Sequence, residues 1–150
     1  MQYALLFASA SDDYYERELG PIHLVKYVYL VDMKYAKYHQ GKTFTNLDWK
    51  FHHFGPWSVT AFQQIEEALP AIGAKKRILE SDYGDDDFTR WHVDYDELQL
   101  AFLGKELPLE VKSSVQNYMR EHKNNTSRLL NFVYTTPPML NAAPGEFLDF

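Results

Sequence analysis

Between Gly20-Pro21 and Gln40-Gly41 lies a stretch whose apolar residues fall on two sides of a helix, and few folds can accommodate such an element. Pro21 suits a first helical position and Gln40-Gly41 ends the helix near His39. At about 100° per residue, Ile22, Val25, Tyr29, Met33 and Ala36 form one apolar stripe, while Leu24, Val28, Val31, Tyr35 and Tyr38 form a second on nearly the opposite side. A helix of this kind must be covered from both directions, so the segment of about 21–39 is expected to be a central, buried helix. Only a narrow sector carrying His23, Lys26, Lys34 and Lys37 is left for water. Asp32 falls outside that sector, between the stripes. Its carboxylate is therefore expected to be at least partly buried and to need hydrogen-bond donors.

The chain of 150 residues is long enough to cover such a helix within one domain, residues 1–150, burying roughly two-thirds of the surface its unfolded form would expose. With 11 Tyr, 10 Phe and 3 Trp it is rich in aromatic side chains, which excludes global disorder. The net charge of −6 argues against direct nucleic-acid binding and against an anionic membrane surface, and suits a basic protein partner. There is no cysteine, which removes disulfides, thiolate nucleophiles and cysteine-ligated zinc, and fits a reducing, cytoplasmic setting. Met1 to Ala10 lacks the positive n-region of a signal peptide and reads as a packed first element. No segment approaches the roughly 20 apolar residues of a membrane-spanning helix.

Around the central helix the sequence predicts a short helix near Tyr3 to Ala10 and a polar connection at Ser11 to Glu18. Leu47, Trp49, Phe51 and His53 alternate with Asp48, Lys50 and His52, the period of a strand running into the corner Phe54-Gly55-Pro56-Trp57. Ser58 is a plausible N-cap for a helix to Leu69 that buries Phe62, Ile65 and Leu69 and is closed by Pro70 and Gly73. Lys75 to Glu80 and Phe88 to Val93 read as two strands joined by an acidic hairpin tip, Ser81 to Asp87. Pro108 opens a helix with Val111, Val115, Tyr118 and His122 inward, and Asn124-Asn125 breaks it. Thr126 can cap a short helix bearing Leu129, Leu130, Phe132 and Val133, ended by Thr135-Thr136-Pro137-Pro138, after which the tail to Phe150 is expected to pack. The fold class is α+β: a mostly helical single domain with a small antiparallel β-sheet.

Catalytic signatures of phosphate-binding loops, nucleophile elbows and zinc helices are absent. His52-His53 beside Asp48 is the densest group of metal-ligating types, but strand neighbours point to opposite faces, so no metal or other cofactor is expected. Asp32 has the burial that raises a carboxylate toward a general base, yet no nucleophile or second acid pairs with it in the sequence. It reads instead as an acceptor for backbone N–H groups near the Gly55-Pro56 turn or for a nearby indole. Lys26, Lys34 and Lys37 form a short basic line, more a solvated helix face than a nucleic-acid footprint. The hairpin tip is the candidate docking feature: Asp85, Asp86 and Asp87 would steer a basic partner, and Tyr83, Phe88 and Trp91 would anchor it as exposed aromatics. Its plain alternative is a negatively charged, soluble turn.

Leu24-Val25-Lys26-Tyr27-Val28-Tyr29-Leu30-Val31-Asp32, then Gly41-Lys42-Thr43-Phe44-Thr45-Asn46, then Phe54-Gly55-Pro56-Trp57-Ser58 resemble, in order and spacing, the Panacea domain of the SocA-like antitoxin family. The match is clear from Ile22 to about Leu69 and weaker over Pro108 to His122 and Ser127 to Val133. Trp57 departs from it, standing where many members carry a smaller apolar residue. The resemblance implies a mostly helical α+β domain of bacterial or phage origin that neutralises a toxin, encoded by an adjacent gene, by direct contact or by delivering it to a protease. It also marks Asp32, Phe54, Gly55, Pro56 and Trp57 as a structural corner. The expectation is a non-catalytic protein-binding module. The alternatives are a small enzyme using Asp32, His52 or His53, and a phage or mobile-element protein that binds a host factor.

Overall fold

The computed structural model describes residues 1–79 and 88–150. Helix α1 (Gln2–Ser9) leads through a 3₁₀ turn at Tyr14–Arg17 into α2 (Pro21–Tyr38). A hairpin of β1 (Lys50–His52) and β2 (Gly55–Trp57) precedes α3 (Val59–Ala68) and a 3₁₀ turn at Pro70–Ile72. Strands β3 (Lys75–Leu79) and β4 (Phe88–His92) form a second antiparallel pair. Helices α4 (Glu97–Glu106), α5 (Leu109–His122), α6 (Thr126–Tyr134) and α7 (Pro137–Leu140) follow. The chain is thus a mostly helical α+β domain with small antiparallel sheets, as its patterning predicts.

Helix α2 is the axis of this arrangement. Val25, Tyr29 and Ala36 of one stripe and Leu24 and Val31 of the other are buried, with Tyr27 and Leu30 between them, because α1, α3, α5 and α6 pack around the helix. Tyr38, predicted in the second stripe, is 67% exposed at the helix end, beyond that cover. Tyr29 and Trp49 meet edge to face with ring centroids 5.5 Å apart, an arrangement that matches the positive rim of one ring to the negative face of the other. The polar sector is a different matter. His23 and Lys26 are buried, not solvated, because α6 and β2 lie over the first half of that face.

Local caps explain where the elements start. Ser58 accepts from the Ala61 N–H at 3.2 Å and opens α3, as its position predicts. The α6 cap is Asn125, which accepts from Arg128 N–H at 3.0 Å; Thr126, predicted to cap, is the first helical residue and is free to bond elsewhere. Helix α4 has no counterpart among the predicted elements. Asp96 caps it through Gln99 N–H at 3.0 Å, and Leu100, Leu103 and Leu107 supply its inward face.

The corner differs from its predicted form. Gly55, Pro56 and Trp57 are not a turn between a strand and a helix but a strand of their own, paired Lys50↔Trp57, Phe51↔Pro56 and His52↔Gly55. The bend belongs to His53-Phe54, one step earlier. Gly55 adopts φ 90°, a left-handed conformation that costs any other residue about 1–2 kcal/mol, while a Cβ there would meet only ordinary contacts with Val133, Tyr134 and Lys26. Glycine is needed here for its backbone, not for space. On the other side of β1 the tail docks through Phe51 N–H to Glu146 O at 2.8 Å and Leu148 N–H to Trp49 O at 2.8 Å, so the chain end does pack. Phe62, predicted to be inward, is 45% exposed and lies against Trp57 on the surface; Ala61 takes the inward place beside Ile65.

Candidate functional site

Three polar side chains of α2 are buried, and each is tied to a different part of the chain. His23, at the third helical position, accepts the Gly20 N–H on Nδ1 at 2.9 Å and so closes the helix start on itself. Burial, reinforced by the cation of Arg90, lowers its pKa from 6.5 to about 4, which keeps the ring neutral. With Nδ1 accepting, the proton resides on Nε2, which donates to the Thr126 hydroxyl 2.9 Å away and joins α2 to the start of α6.

Lys26 extends its stem to the corner and donates from Nζ to the Pro56 carbonyl at 2.7 Å, with the Trp57 ring centroid 5.0 Å from the ammonium. Pro56 has no N–H, and this bond occupies its carbonyl. Desolvation brings the amine from 10.5 to about 7, within the range of nucleophilic lysines, but Lys26 lines none of the described clefts. Its geometry is that of a pin between helix and hairpin.

Asp32 binds neither Gly55 nor Pro56. Its Oδ1 accepts the Thr45 N–H at 3.0 Å, and its Oδ2 accepts the Trp49 indole N–H at 2.9 Å together with the Thr45 hydroxyl. The indole partner matches expectation. The backbone partner lies in the segment before β1, and Lys26, four residues beyond the Ile22 end of the stripe, holds the corner instead. Burial raises the Asp32 pKa, and the bonds from Thr45 and Trp49 oppose that rise.

Of the predicted docking residues, Tyr83, Asp85, Asp86 and Asp87 lie outside the described residues. Phe88 is exposed, as expected, but Trp91 is not: it is 2% exposed, held by a reciprocal pair of backbone bonds with Leu19 at 2.7 and 3.0 Å. Its place is the core, where the strand alternation turns it inward, and it is no surface anchor. His52 and His53 are exposed, and their rings stand 4.7 Å apart because His53 has left the strand for the turn, so the opposite-face argument does not apply to them. Among the described residues no three His, Asp or Glu side chains gather closely enough to share a metal. His122 is buried against Phe132 at 4.8 Å, and neither of its ring nitrogens is hydrogen-bonded among the described residues.

Two surface features went unread in the sequence because both depend on α4. The first is a ridge: Leu98 and Phe102, four residues apart on the outer face of α4, are 83% and 61% exposed, with Leu109 just beyond at 72%. The second is a cleft of about 650 Å³ between α1, α2, α3, α4 and α5. Leu24, Val31, Val111 and Val115 form its deep wall, while Gln64, Glu67 and Glu106 stand at its open edge. The Asp96 cap followed by leucines three and four apart was the available signal for α4; the positions Leu98 and Phe102 fall off that inward stripe.

Comparison with protein-family models, with curated proteins and with solved structures finds no match to this chain. The fold and site therefore define a class by architecture: a mostly helical α+β domain centred on a buried, polar-pinned helix. No described helix is long and apolar enough to cross a membrane.

Two outcomes follow from the pins. Asp32→Asn places an amide N–H against the Thr45 N–H or the Trp49 indole N–H, and is expected to cost about 1–3 kcal/mol in urea unfolding; a variant as stable as the parent would contradict the structural role. For Lys26, the unfolded chain keeps its proton up to about 10.5 and the folded chain only to about 7, so between these values the unfolded state binds more protons and stability rises with pH. Lys26→Met is expected to flatten that rise when unfolding is compared at pH 7 and pH 9. An unchanged slope would assign the dependence elsewhere.

Proposed function

We propose that this chain is an antitoxin-like protein-binding module that neutralises a partner toxin, encoded beside it, by direct contact. The observation that carries the reading is the α4 ridge. Leu98 and Phe102 are large apolar side chains held in water by a helix whose inward face is already filled by Leu100, Leu103 and Leu107, and Leu109, the first residue of α5, is exposed as well. They contribute little to the core and are what an interface would cover. The net charge of −6 favours a basic partner and a fast, steered encounter.

The resemblance of Ile22 to Leu69 to the Panacea domain supplies the toxin as the kind of partner. The polar residues of α2 support a binding role over catalysis, because His23, Lys26 and Asp32 are each engaged in joining elements of the fold. Delivery of the toxin to a protease would use the same contact, with the complex as the delivered species.

The test is co-expression with the products of the adjacent genes. A neighbour that arrests growth alone is expected to be silenced by this chain and to copurify with it. Leu98→Glu combined with Phe102→Glu is expected to abolish both effects while leaving the melting temperature within a degree or two, since exposed substitutions rarely move stability by more than about 0.5 kcal/mol. Full neutralisation by the double variant would remove the ridge from the account, and harmless neighbours with no complex would remove the toxin.

A further inference from the structure

The cleft beside the ridge has a sidedness that specifies what fits it. Its deep wall is mostly apolar, the aliphatic side chains lying beside the buried Tyr3 and Tyr27, and at about 650 Å³ it exceeds the water-sized voids of a packed interior. The charged side chains at its edge, Glu67 from α3 and Glu106 from α4, are both acidic, and neither is in an ion pair among the described residues. Glu66, the neighbour of Glu67, is by contrast bridged to Lys76 at 3.1 Å. Met1 also lines the cleft, but burial lowers its amine to about 6, so it offsets little of that negative charge at pH 7.

The cleft is continuous with the ridge. Phe102 and Glu106 are four residues apart on α4 and so lie one above the other on the same face. Leu103 and Leu107, one position further round, form part of the cleft wall. A partner lying along Leu98 and Phe102 therefore arrives at Glu106 and the cleft mouth without changing direction.

We infer that the cleft receives an apolar side chain of the partner protein from a segment that carries lysine or arginine on either side of it, with Glu67 and Glu106 receiving those cations. The inference rests on the protein-binding reading and adds the chemistry of the partner's contact segment. The apolar insertion supplies affinity, because it is desolvated on all sides once the mouth is covered. The two exposed carboxylates supply orientation and rate, and select against acidic segments.

The experiment uses the whole chain and two short amphipathic helical peptides that share one leucine face, one with lysine and one with glutamate at the remaining positions. In methyl-resolved NMR the lysine peptide is expected to shift Val28, Val31, Leu103 and Val111, and the glutamate peptide to leave them in place. Glu67→Lys with Glu106→Lys is expected to weaken the lysine peptide by about tenfold or more, both sites being exposed and the fold therefore retained. Equal binding of the two peptides, shifts confined to other methyls, or no binding at all would overturn the inference. If the charge-reversed variant still captures the toxin that the parent captures, the cleft assignment fails while the protein-binding reading stands. If the parent captures none, that reading fails and the cleft assignment falls with it.

Discussion

A carboxylate taken out of water must be given donors, and around Asp32 those donors determine where the chain between α2 and α3 can run. The indole of Trp49 and the amide of Thr45 both point at it, so the segment 44–49 is drawn across α2 before the hairpin begins. Trp49 then packs edge to face with Tyr29, and its carbonyl accepts the Leu148 N–H from the tail. One buried charge thus coordinates a loop, an aromatic pair and the C-terminal segment. Removing a donor would leave the charge less fully compensated in a low-dielectric setting, so the three are coupled.

The same device recurs toward the start of α2. Lys26 joins the helix to β2 through the Pro56 carbonyl, and His23 joins it to α6 through Thr126. Apolar burial drives the elements together but is non-directional. The three pins supply direction, each specifying one neighbour of the helix and its place along the axis. That division explains why a helix with two apolar faces does not simply slide within its sheath of aliphatic side chains.

Much of this architecture is legible in the residues themselves. The apolar stripes along most of α2, the Ser58 cap and the two strand segments that become β3 and β4 are local patterns, and each becomes the element it predicts. What the pattern misjudges is the company each residue keeps. His23 and Lys26 look solvated on a helical wheel and are covered by α6 and β2, elements far away in sequence. Gly55-Pro56 looks like a turn and is a strand, because pairing with Lys50 to His52 moves the bend to His53-Phe54. Trp91 looks like the flank of an exposed tip and is held inside by Leu19. The outward ridge of α4 is harder still, since leucine and phenylalanine in water contradict the rule by which helices are found.

The central claim is that the Asp32 pin is part of the cooperative core and not a local latch, and hydrogen exchange of the Trp49 indole N–H measures this directly. Followed by NMR across low urea concentrations, that proton should exchange only when the whole domain unfolds, with the same free energy and urea dependence as the slowest amides of α2. Exchange at a much lower free energy with little dependence on urea would mean that the 44–49 segment opens by itself. In that case Asp32 would not organise the structure around it.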